Sequence, residues 1–134
     1  MRPRLTVLLA SLAITLFASI SNAASPDFPA QSSTRAGVTV KATPRSLAGG
    51  TWEFELVFDT HTQALTDDLD KTAVLVADGG TAYPPVKWRG DPPGGHHRKG
   101  TLQFKPISPV PAAIELQITR AGETAARSFR WQLK

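Results

Sequence analysis

Apolar residues recur at every second position in several short stretches of this chain. The clearest stretch is 52–59, where Trp52, Phe54, Leu56 and Phe58 share one parity and Glu53, Glu55 and Asp59 the other. Successive side chains of a strand point to opposite faces, so this is a half-buried strand. Its apolar row is the heaviest in the sequence, which makes it the central strand of a sheet. Residues 37–43 alternate the same way, with Val38, Val40 and Ala42 inward, and Pro44 is expected to end that strand. Residues 71–77 form a short continuous apolar run, suited to a strand covered on both faces. Asp78-Gly79-Gly80 is a hairpin turn signal. Residues 82–88 return as a strand with Val86 and Trp88 inward, and Pro84-Pro85 makes it an edge.

Further on, Leu102 and Phe104 alternate in 100–105, Ile114, Leu116 and Ile118 in 113–118, and Phe129, Trp131 and Leu133 in 126–133. Between 60 and 70, Leu65 and Leu69 lie four apart, and Thr66 or Asp67 is placed to cap a single helical turn. About seven short strands separated by turn signals, with no long 3.6-residue period, predict an all-β fold. An antiparallel β-sandwich of immunoglobulin-like topology is expected. Its usual inter-sheet cysteine pair is missing, so Trp52, Phe54, Phe58, Trp88, Phe104 and Trp131 are expected to fill that space.

The first residues belong to another kind of element. Met1-Arg2-Pro3-Arg4 is basic, 5–20 is apolar apart from small hydroxyl residues, and Ser21-Asn22-Ala23 supplies small residues at a cleavage position. This is a secretory signal peptide over 1–23, and it predicts an exported, periplasmic or secreted product with no stable membrane anchor after cleavage. Residues 24–36 are polar and without period, which predicts a flexible leader, and 37–134 is expected to be the sandwich domain. The formal charge is +4, but Arg2 and Arg4 leave with the signal. The remaining basic residues are scattered, so nucleic-acid binding is not indicated.

There is no cysteine, and Met1 is the sole methionine. The folded domain is therefore held by its core alone, and it lacks the soft ligands of Cu(I) and iron–sulfur clusters. Chemistry is left to the three histidines. Counting strand directions sends His61, at the end of the central strand, and the loop bearing His96 and His97 to the same end of the sandwich. Asp59 and Asp91 are weaker candidates nearby. Imidazoles with carboxylate suit Zn(II), Cu(II) or Ni(II). The spacing carries little, since there is no His-x-His or His-x-x-x-His, and Gly94-Gly95 would have to bend the loop for His96 and His97 to act together. No Gly-x-Ser-x-Gly or similar nucleophile turn is present. Glu53 and Glu55 are expected to pair across strands with Lys41 and Arg130.

Asp59-Thr60-His61-Thr62, Val74-Leu75-Val76, Trp88 and Gly94-Gly95-His96-His97 followed by Gly100-Thr101-Leu102-Gln103-Phe104 resemble a group of small exported bacterial and archaeal domains. In these a Phe-rich strand ends in Asp-Thr-His, and a Gly-Gly-His-His loop precedes a Gly-x-Leu-x-Phe strand. The resemblance covers about residues 37–120. It implies one coherent domain and the pairing of His61 with the His96–His97 loop, and it implies no catalysis. The expected function is a non-enzymatic binding domain that holds a transition metal ion, Zn or Cu(II), at the histidine end. The alternative is an accessory domain of the cell envelope that takes a protein partner at a sheet edge, its histidines only locking loops.

Overall fold

The computed structural model describes residues 28–134, so the expected signal peptide and the first part of the expected leader lie outside the described residues. Two antiparallel sheets face each other. One has the order β1-β2-β3-β7-β6 and the other β5-β4-β8-β9. Their strands are β1 (Gln31–Arg35), β2 (Val38–Ser46), β3 (Trp52–Thr60), β4 (Ala73–Ala77), β5 (Ala82–Tyr83), β6 (Lys87–Gly90), β7 (His97–Phe104), β8 (Ala113–Ile118) and β9 (Arg127–Gln132). The order β2-β3-β7-β6 facing β4-β8-β9 is the immunoglobulin arrangement, and β3 is a central strand, paired on both sides by β2 and β7.

The alternation places the core. Trp52, Phe54, Leu56 and Phe58 from β3, Leu102 and Phe104 from β7, and Leu116, Ile118, Phe129 and Trp131 from the other sheet are all buried. Phe54 sits edge-on to Phe104 at 5.7 Å between ring centroids and lies 5.6 Å from Trp131 in the facing sheet. In a domain without cysteine these ring contacts join the two sheets through the core.

Five expectations need correction. Residues 31–35 are not part of a leader; they form β1, paired with β2 from Gln31↔Ala42 to Arg35↔Val38. Pro44 does not end β2, which runs on to Ser46 with a register shift just after the proline. β1 stops opposite Ala42, so Pro44 lies where β2 has only β3 beside it. The expected strand 82–88 is two strands in different sheets, because Pro84-Pro85 cannot continue a ladder and the chain crosses there. Val86 is consequently 56 % exposed rather than inward. β4 is covered on one face only, with Ala73 and Leu75 buried and Val74 and Val76 half-buried on the other. Lastly, the helical turn α1 (Leu69–Thr72) starts later than expected, after Asp68.

The flanks of the sandwich are closed by side chains. The Gln31 amide donates to the Arg130 carbonyl of β9 and accepts the Arg130 N–H at 3.0 Å. Trp131 Nε1 donates to the Pro29 carbonyl at 2.8 Å. On the opposite flank, Asp70 of α1 accepts the Trp88 N–H of β6 at 2.8 Å, and β5 is two residues long and ends at prolines. Among the described residues no helix is long and apolar enough to cross a membrane.

Candidate functional site

The end of the sandwich where β3 stops is built from three chain segments. β3 and β7 pair up to Asp59↔His97. One step beyond, the Thr60 N–H donates to the His96 carbonyl at 2.9 Å. The segment after β3 then continues the pairing: Leu65 N–H donates to the Gly95 carbonyl at 3.0 Å and Gly94 N–H to the Leu65 carbonyl at 2.7 Å. Gly94 and Gly95 have φ of +119° and +69°, a backbone that side-chain-bearing residues rarely adopt, and this bend lets the loop meet residue 65. The two histidine-bearing segments, thirty-five residues apart in sequence, are thus side by side.

Asp59 and His97 are on the outward parity of their strands, and Asp59 Oδ1 is hydrogen-bonded to His97 Nδ1. Their side chains are 55 % and 62 % exposed. A carboxylate has no proton to give, so in this bond Nδ1 is the donor, and in a neutral imidazole that leaves the lone pair on Nε2, on the far side of the ring. His61 lies in the bend that follows β3, and His61 and His96 are both exposed. It is the backbone of His96, not its ring, that ties the loop down. Asp91 belongs to the hairpin rather than to the histidines. Its Oδ2 accepts the Lys99 N–H at 2.9 Å, and its carbonyl accepts Trp88 Nε1 and Arg98 Nε, each at 3.0 Å. Among the described residues, no three His, Cys, Asp or Glu side chains stand close enough to hold one metal ion.

What positions this end is a row of buried charges. Arg98, Arg120 and Arg127 are buried, with Asp67 and Glu123 between them. Arg98 Nη1 donates to the Asp67 carbonyl at 2.6 Å, and its guanidinium lies 5.4 Å from the Trp88 ring centroid. Arg120 grips the Asp67 carboxylate with two donors at 3.0 and 3.2 Å. Arg127 binds Glu123 through Nε at 3.1 Å and Nη2 at 2.5 Å. Its remaining donors go to the carbonyls of Ser33, Val38 and Arg35, each at 2.8 Å. All five N–H groups of that guanidinium are therefore used. The row ties β7, the 61–68 segment, the turn after β8 and the β1–β2 hairpin into one unit.

The hydrogen bond from Arg127, with the charges of Arg127, Arg120 and Arg35, holds the Glu123 carboxyl below its ordinary value of 4.5, against the opposing effect of burial. A lowered native value means the unfolded chain binds the proton more readily. The stabilisation is fully present above pH 4.5 and is lost as pH falls through the lowered native value. Urea midpoints measured at pH 7 and in steps below pH 4.5 should fall on acidification, and Glu123→Gln should flatten that fall. Glu55, held low by a hydrogen bond from Arg45, acts in the same direction but is less buried.

The expected partners of the outer charges are partly different. Glu55 pairs with Arg45 at 3.0 Å and Lys99 at 3.8 Å, and Glu53 accepts from Gln103 at 3.0 Å. Arg130 is in the other sheet, opposite Glu115. In comparison with known proteins, no family model matches the chain, and no curated protein or solved structure matches it significantly.

Proposed function

We propose that the chain is an exported, non-enzymatic binding domain that takes up a transition metal ion, Zn(II) or Cu(II), at the end carrying His61, His96 and His97. Export rests on the basic, apolar and small-residue pattern of the first 23 residues. The observation that carries the metal reading is the Asp59–His97 pair. Metal-binding histidines commonly donate their second ring nitrogen to a carboxylate, which fixes tautomer and orientation. Asp59 does this to His97 before any ion arrives, so its role is to orient His97 rather than to supply a ligand. The sheet-edge alternative has less support, because side chains or prolines block the outer strands of both sheets.

Titration of Zn(II) and Cu(II) into the mature domain in a calorimeter tests this reading. Heat is expected with the native chain. His97→Ala should abolish it, and Asp59→Asn should weaken it by about 10–100-fold without changing the melting temperature. No heat up to millimolar ion would remove the proposal.

A further inference from the structure

At the end opposite the histidines the sandwich opens in a cleft of about 370 Å³. β4 stops there at Ala77, which pairs with Ile114 near the start of β8. Tyr83 and Ile107, both packed into the hydrophobic core, form the deeper part of the cleft, and Pro109, Val110 and Pro111 flank it. Val110 is 46 % exposed. It is one of two large apolar side chains among the described residues left in water, and the other, Val86, does not line the cleft.

The link from β7 to β8 is fixed around this opening. Proline rings set φ at residues 109 and 111. The Asp78 carboxylate accepts the Ala112 N–H at 2.6 Å and the Ala113 N–H at 3.3 Å. The Ala112 carbonyl in turn accepts the N–H groups of Leu133 and Lys134, at 2.7 and 3.2 Å. A link pinned in this way leaves little chain for an entering ligand to order.

We infer that this cleft binds a small neutral molecule built on an aromatic or alicyclic ring. Its volume falls at the low end of small-molecule sites, roughly 300–1,000 Å³, and above the ~150 Å³ that suffices for benzene in an apolar cavity. Tyr83 offers a ring for a second ring to pack on. Asp78 and Lys134 bring one charge of each sign to the lining, so the cleft favours neither an acid nor a base. A second copy of the chain is a poorer occupant. Val110 is the one large exposed apolar side chain here, far less than the about 800 Å² per partner of a stable interface. The inference stands apart from the metal reading, which concerns the other end of the domain.

The mature chain would be titrated in EDTA with N-phenyl-1-naphthylamine, a neutral aromatic that fluoresces in apolar surroundings. Amide shifts would be followed by NMR. The expected result is saturable binding of one probe per chain, with shifts centred on Ala77, Tyr83, Ile107 and Val110. Val110→Asp should weaken binding at least about tenfold, because the probe would then cover a carboxylate. Val86→Asp, at a similarly exposed position outside the cleft, should leave binding unchanged, and both variants should melt as the native chain does. No saturable signal, an equal loss in both variants, or shifts centred elsewhere would each overturn the inference. Tighter binding of the anionic analogue 1-anilinonaphthalene-8-sulfonate would overturn the neutral class. A dimer in sedimentation that Val110→Asp dissolves would put a second copy in the cleft and overturn it as well.

Discussion

Arg127→Ala is expected to destabilise the domain by about 3–5 kcal/mol, the range for removing one partner of a buried ion pair. Arg127 is fully buried, and its donors reach Glu123 and three backbone carbonyls in β1 and β2. Alanine leaves Glu123 with only Arg120, 4.0 Å away, and strips those carbonyls of a donor where water has little access. Since a domain of this size is stable by roughly 5–15 kcal/mol, a third or more of the margin goes. A fall in melting temperature of more than about 10 °C should be seen by circular dichroism. The double variant Arg127→Met with Glu123→Met separates the two causes. It buries no lone charge, so it should recover part of the loss, and the remainder belongs to the carbonyls.

Asp67→Ala should be about as costly, roughly 3–5 kcal/mol, but with its damage concentrated at the histidine end. The Asp67 and Arg120 side chains are 3 % and 6 % exposed, and the variant leaves Arg120 with one distant carboxylate. Arg98 holds the Asp67 carbonyl rather than its carboxylate, so that contact does not depend on the side chain. The 61–68 segment loses its grip on the second sheet and keeps its pairing with the 94–96 loop. Hydrogen exchange should therefore quicken at Thr60, Leu65 and Gly94, whose N–H groups make that pairing, before the β3–β7 ladder is affected. Slow exchange at those three amides in Asp67→Ala would show that the segment is held by its backbone alone.

The core was legible in the sequence because alternation is a local signal, repeated in 52–58 and 102–104 and needing no knowledge of the partner strand; for the same reason it did not say that β3 pairs with β7. Co-location of the histidine segments was legible for a related reason. Strand directions can be counted, and each turn between 59 and 97 reverses the chain or carries it to the other sheet. The buried arginines were overlooked, although the signal for them exists. Arg98 continues the inward parity of Leu102 and Phe104, Arg120 that of Leu116 and Ile118, and Arg127 that of Phe129 and Trp131. Arg127 is one inward step from Phe129, Arg98 is two from Leu102 with Gly100 between, and Arg120 falls one step past the end of β8, all at the same end of the domain. A basic residue there reads as the strand running out into water; only three of them at one end, with Asp67 on the parity of Leu65 and Leu69, indicate otherwise. β1 gave no signal at all. Gln-Ser-Ser-Thr-Arg has no apolar alternation, and it is a strand because its backbone meets β2 and its side chains reach β9.

Gln31 stands in for a strand with a single amide, bridging two sheets that have no backbone ladder between them. A fragment cut to begin at Gly37, where sequence alone places the domain boundary, would discard that bridge together with all of β1. Both β2 and β9 would then show bare borders, and each could recruit the border of a neighbouring molecule. Anyone shortening this protein for the laboratory should keep the stretch from Phe28 onward.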